Sequence, residues 1–177
     1  MSVWYFAYGA NMATDVLVKR RGLRVLESRT GCALGVRMGF VERGLPLVEP
    51  AFAGLVPEGA CDDLTTEAWG VLHRLPAEDV RTLDGFEGSN YVRQRVEVRD
   101  LEGAVHQADA YTSPRWARGH RPSRRYRDLL VRGACMHGLP EVHVAWLLAH
   151  PTAYVPLLSE AFASTIGLVD RIARVLR

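Results

Sequence analysis

The chain has 177 residues, 48% of them apolar and 24% charged, with a formal net charge of +2. That balance is typical of a soluble globule: one domain with a substantial core, or one domain plus a helical appendage. No run of about 20 uncharged apolar residues is present to span a membrane, and Ser2 to Tyr8 is too short, and lacks the basic lead, to be a secretory leader.

In chain order, an apolar run from Val3 to Tyr8 reads as a buried strand (about 3–8) that stops at Gly9-Ala10-Asn11. Met12, Val16 and Leu17 then recur at helical spacing, which predicts a helix over 12–21. A strand that breaks on glycine into a helix presents free backbone N–H groups beside a positive helix end, a ready site for a carboxylate. The plain alternative is a glycine turn with Asn11 as helix cap. Strands are predicted at 31–41 and 51–56, with a loop at 42–50 between them and an exposed hairpin connection from Pro57 to Thr66. A strand follows at 67–73. Pro76, Glu78 and Asp79 then mark the start of a helix over 76–84.

Residues 90–100 read as a half-buried strand, because Tyr91 to Arg99 alternate apolar and polar side chains. Glu87 therefore falls on a short connection, with Gly85 and Gly88 leaving room beside its carboxylate and Phe86 and Tyr91 nearby. The plain alternative here is a solvated loop acid. A strand at 105–112 and helices at 123–136 and 140–149 complete the pattern, the first helix capped by Ser123. Strands dominate the first two thirds and helices the last, which argues α+β rather than repeated βαβ units. In the tail, Leu158, Phe162, Thr165, Val169, Ile172 and Leu176 share one helical stripe. This predicts a helical extension over 151–177 packed on a domain spanning 1–150, with a dimer contact as the alternative use of the stripe.

Phe6-Ala7-Tyr8-Gly9-Ala10-Asn11-Met12 resembles a Tyr-Gly-Ser-Asn motif, and Leu83-Asp84-x-x-Glu87-Gly88 with Tyr91 resembles a catalytic-acid motif. Pro122-Ser123-Arg124-Arg125-Tyr126, Gly133-Ala134 and Gly138-Leu139-Pro140 resemble a late helix and its following turn. All belong to the γ-glutamylcyclotransferase-like group, the fold of AIG2-like and BtrG-like proteins, and they occur here in the same order from about Val3 to about Leu148. The resemblance implies a small, mostly antiparallel β-barrel flanked by helices, with its pocket at one mouth. It also implies a reaction in which a γ-glutamyl compound releases an amine or amino acid while the glutamyl part closes to 5-oxoproline, with no cofactor and no metal.

Such an enzyme must fold the glutamyl chain, move protons and stabilise an oxyanion. The resemblance assigns Glu87 as general base and then general acid. It assigns the backbone of Tyr8, Gly9, Ala10 and Asn11 to the substrate carboxylate and oxyanion, and Tyr91 and Tyr126 to the substrate pocket. Packing beside Leu129 and Leu130 is the alternative for Tyr126. Ala10 departs from the family's serine, which is harmless where only the N–H is used. Pocket walls are expected from Arg37 to Pro46 and from the 113–122 loop.

Three widely spaced cysteines, Cys32, Cys61 and Cys135, suit reduced packing thiols in a cytoplasmic protein. The six histidines lack zinc spacing. Arg115, Arg118, Arg121, Arg124, Arg125 and Arg127, interleaved with Trp116, His120 and Tyr126, resemble a single-strand nucleic-acid surface. Yet Lys19 is the single lysine, so arginine fills every basic surface role. A solvated rim that draws in acidic substrates is therefore the better reading. The expected partner is a small γ-glutamyl substrate, with no nucleic acid and no membrane, on a monomer or homodimer. A non-catalytic small-molecule binding module on the same scaffold is the alternative.

Overall fold

The computed structural model describes residues 1–45, 48–60, 65–87, 91–113, 115–117 and 119–153, with Glu87 described by its backbone alone. Six strands form one sheet: β1 (Ser2–Ala7), β2 (Glu27–Leu45), β3 (Glu49–Pro57), β4 (Thr65–Pro76), β5 (Val92–Asp100) and β6 (Val105–Thr112). Their order is β3-β2-β4-β1-β6-β5, and a further β2–β5 pairing closes five of them into a barrel. The β1–β6 pair is parallel and the other pairs are antiparallel, so the barrel is mixed, with one parallel pair in the mostly antiparallel ring that the resemblance implies.

β2 is long enough to serve two structures. Its first part pairs with β4 from Glu27↔Arg74 to Ala33↔Ala68, and Gly31 to Ala33 also meet β5. After a register shift, Arg37 to Gly39 go on pairing with β4 while Val36 to Leu45 pair with β3 as the facing arm of a hairpin. The loop expected over 42–50 is thus mostly strand. Gly44, inside that expected loop, works as a close-approach residue: a Cβ there would stand 1.9 Å from the Glu49 carbonyl oxygen. Only glycine lets the two arms come together at that point.

Among the described residues, three α-helices flank the barrel: α1 (Ala77–Glu87), α2 (Arg124–Met136) and α3 (Glu141–Ala149). A 3₁₀ turn (Ala10–Met12) and a π-helical turn (Val16–Arg20) follow β1, so the helix predicted over 12–21 is reduced to a short π-helical turn in its second half. Tyr126, Leu130, Gly133 and Ala134 make the buried stripe of α2 at i, i+4, i+7, i+8 spacing. The Ser123 side chain caps that helix by accepting from the Tyr126 amide at 3.1 Å. The core runs from Phe6, Leu72 and Leu75 in the barrel to Leu83, Leu130 and Leu147 on the helices, all fully buried.

α1 runs further than the sequence predicts, so Glu87 ends a helix instead of lying on the connection after it. The final turn is tethered from outside: Asp84 accepts a hydrogen bond from the Tyr111 hydroxyl and pairs with Arg93. That offsets the cost of roughly 1 kcal/mol for Gly85 inside a helix. Cys135 is exposed rather than packed, and burial pushes the half-buried Cys32 thiol up to about 11; Cys61 lies outside the described residues. No helix among the described residues is long and apolar enough to cross a membrane. The helical stripe from Leu158 to Leu176 also lies outside them. The described chain ends where Ala153 donates to the Pro122 carbonyl, beside the start of α2.

Candidate active site

A cleft of about 390 Å³ opens at one mouth of the barrel, where β1 turns into its 3₁₀ segment. Tyr8, Gly9, Ala10, Asn11, Tyr91 and Tyr126 all line it, so residues spread over 118 positions of sequence converge on one space. Phe86, the neighbour of Glu87, lines it as well, and the backbone at 87 ends α1 at the same mouth.

The turn is built to present backbone. Met12 N–H donates to the Gly9 carbonyl at 3.0 Å, closing the 3₁₀ segment, and the first amides of such a segment have no acceptor within it. Asn11 is not a cap. It lies inside the turn, buried, with Nδ2 donating to the Tyr5 hydroxyl at 2.9 Å. Gly9 is the point of closest approach, because a Cβ there would stand 3.1 Å from the Tyr126 hydroxyl.

Tyr126 is held over that turn from three sides. Its hydroxyl accepts from the Ala53 amide at 3.2 Å, and Phe52 and Phe40 meet its ring edge-on with centroids 5.1 and 6.3 Å away. Tyr126 therefore packs and also projects its hydroxyl into the cleft.

A chain of hydroxyls crosses the mouth. The Tyr8 hydroxyl donates to the Tyr111 carbonyl at 2.5 Å, and the Tyr111 hydroxyl donates to Asp84 Oδ1 at 2.6 Å. Burial pushes both phenols well above the ordinary range, with Asp84 adding to the rise at Tyr111. Both stay protonated and act as fixed donors. The chain links the end of β1, the end of β6 and the last turn of α1, so the backbone at 87 is anchored relative to the 8–11 turn.

Sequence reasoning missed Tyr111, Asp84, Arg20, Arg21 and Arg125 as parts of this region. Asp84 stands inside the Leu83-Asp84 motif, but its partner is 27 residues away. Tyr111 sits at a strand end, where an aromatic reads as ordinary edge packing. The expected walls are also corrected. Among the described residues, none lining the cleft comes from 37–46 or 113–122; the walls come instead from the two helical turns after β1, from β3, from α1 and α2, and from Tyr91 and Tyr111. Of the arginine cluster at 115–127, only Arg125 among the described residues reaches the cleft.

The AIG2-like family model matches residues 67–147, from β4 to α3. A γ-glutamyl cyclotransferase from Aspergillus fumigatus, gliK, is 29% identical over 108 residues, covering 54% of this chain and 39% of that protein. A solved structure named γ-glutamyl cyclotransferase superposes with a TM-score of 0.75 at 22% identity, over 94% of this chain and 98% of its own. By family model, by sequence and by fold, the chain is similar to γ-glutamylcyclotransferase-like proteins.

An uncharacterised protein from Homo sapiens shares the fold of this chain at a TM-score of 0.76 and 23% identity, over 93% and 98% of the two chains. The chain spans well under half the length of the fungal relative. Ala10, where the family has serine, lies half-buried on the cleft wall and offers a methyl group and an amide.

Proposed function

We propose that this γ-glutamylcyclotransferase-like chain cyclises a small γ-glutamyl compound to 5-oxoproline and releases its amine, with Glu87 carrying the protons. The observation that supports this reading is the cleft itself. It gathers the 8–11 turn, Tyr91 and Tyr126 in one space, with Phe86 and the end of α1 at its mouth.

The substrate's α-ammonium loses a proton to Glu87, and the freed amine attacks the γ-carbonyl carbon to form the ring C–N bond. The carbonyl oxygen becomes an oxyanion that takes hydrogen bonds from the turn's amides. Collapse breaks the original C–N bond, and Glu87 returns a proton to the leaving nitrogen. Over the full reaction the attacking nitrogen gives up two protons and the leaving nitrogen gains two, so water is neither consumed nor made. The cleft's main contribution is to curl a flexible chain on itself, a saving that well-oriented reactions place at up to about 7–11 kcal/mol. Gly9 and Ala10 keep the turn slim enough for the substrate to approach, while the Tyr8–Tyr111–Asp84 chain holds the end of α1 in place.

Incubation with γ-glutamyl amino acids and γ-glutamyl amines should yield 5-oxoproline, detected by chromatography. Glu87→Gln should lower kcat by roughly 10²–10⁴-fold with the melting temperature unchanged. A variant that keeps full activity would remove Glu87 from its role.

A further inference from the structure

One side of the 9–12 turn lines the cleft, and its carbonyl end rests on two histidines from distant parts of the chain. His73, on β4, is wholly buried, and the Asn11 and Met12 carbonyls lie close enough to favour its protonated form. His137 caps the end of α2, and the Met12 carbonyl acts on it in the same way. The two rings meet edge to face, with centroids 5.5 Å apart.

A hydroxyl aims each imidazole. Ser28 Oγ meets His73 Nδ1 at 2.9 Å, and Thr14 Oγ1 meets His137 Nε2 at 3.0 Å. These contacts occupy one nitrogen of each ring and leave the other for the turn. His73 Nε2 makes no regular hydrogen bond among the described residues, so the turn's carbonyls are the acceptors that face it. The His137 backbone is fixed too, its carbonyl accepting from the Thr30 hydroxyl at 2.5 Å. α2 presses on the same spot: a Cβ on Gly133 would stand 2.9 Å from Met12 Cβ and 3.0 Å from the Ala13 nitrogen. Carbonyls in a helical turn point away from its first amides, so a donor that holds the carbonyls also sets where the amides aim.

Resting on the reaction proposed above, we infer that His73 and His137 are positioning residues. As a neutral pair behind the turn, they hold its carbonyls and so aim its amides at the substrate's carboxylate and oxyanion. Neither ring lines the cleft. The groups packed against them are uncharged at neutral pH: Ser28 and Thr30 from β2, Tyr5 in register on β1, and Thr14 after the turn. Among the described residues, the charge that bears on His73 is that of His137 itself. A proton added to either ring turns its hydroxyl from donor to acceptor, and two charged imidazoles at this spacing repel.

The test is a pH titration of ¹⁵N-labelled protein. Between pH 7 and pH 4 the amide resonances of Ala10 and Asn11 should shift in step with the ring protons of His137, in the unmodified protein and equally in Glu87→Gln. In His137→Leu the step shared with that ring should vanish, leaving the one that follows His73. Amides that stay still, or that trace the same curve without the His137 ring, would overturn the inference. Kinetics with γ-glutamylalanine give the second readout. His137→Leu should lower kcat/KM about ten-fold or more, with KM raised, while His137→Gln, which keeps an N–H donor, should stay within about three-fold. His143→Phe, a buried histidine away from the turn, should leave kcat/KM unchanged. Equal losses in the Leu and Gln variants, or none in either, would count against positioning. If no γ-glutamyl compound cyclises, the proposed reaction fails, while the amide titration still decides whether the pair holds the turn.

Discussion

Glu42 and Glu49 sit on facing arms of the β2–β3 hairpin, both almost wholly buried at 4% and 1% exposed, yet their carboxylates are treated differently. Glu49 receives three donors, two from Ser123 and one from Arg125. Ser113 offers Glu42 its hydroxyl and amide, while Oε1 finds no partner among the described residues, and burial pushes its carboxyl above the usual range. Burial depth is nearly equal, so it does not separate the two. What separates them is how many donors the surrounding chain brings to the oxygens.

The contrast breaks first at Glu49. Glu49→Ala strands Ser123 and Arg125 and should cost about 3–5 kcal/mol, read from denaturant midpoints; a loss below about 1 kcal/mol would show that its partners contribute little. A histidine extends the rule to buried bases. His143 is wholly buried, neither ring nitrogen has a partner among the described residues, and burial lowers its pKa from 6.5 to about 4 despite the charge of Glu67. The unfolded chain therefore binds its proton more readily. The resulting stability is complete above pH 6.5, is lost as pH falls toward 4, and levels off below that. His143→Phe should remove roughly 2–3 kcal/mol of this acid sensitivity between pH 7 and pH 4. His73, equally buried and likewise lowered to about 4, supplies a second slope that should persist in that variant. An unaltered pH profile in His143→Phe would sink this account.

The smallest effect belongs to Glu42. Its raised carboxyl favours the fold below the ordinary carboxylate pKa and loses that advantage as pH rises through the folded value. Glu42→Gln should therefore gain up to about 1 kcal/mol at neutral pH and nothing in acid. A neutral-pH loss would mean that Ser113 holds the charged form after all.

Local patterns carried much of the fold into view. The alternation from Tyr91 to Arg99, the Ser123 cap and the abrupt stop at Gly9 each depend on a few neighbouring residues, and each element appears where its pattern lies. The pairings that build the cleft walls were not legible. Ser123 meets Glu49 across 74 positions, and Tyr111 meets Asp84 across 27. Nothing local marks such a meeting, because a strand-end tyrosine or a hairpin glutamate looks the same with a partner or without one. Gly44, in the segment expected as a loop, makes a related point. A glycine that permits backbone contact and one that permits a turn are the same letter, and only the partner arm tells them apart.

β1 is the first strand in the chain, yet it lies between β4 and β6, meeting the latter at Tyr5↔Asp109. A growing polypeptide leaving the ribosome must hold β1 in waiting until residue 112 has emerged. The turn at 9–12 becomes a usable binding surface only once α2, far downstream, has joined it.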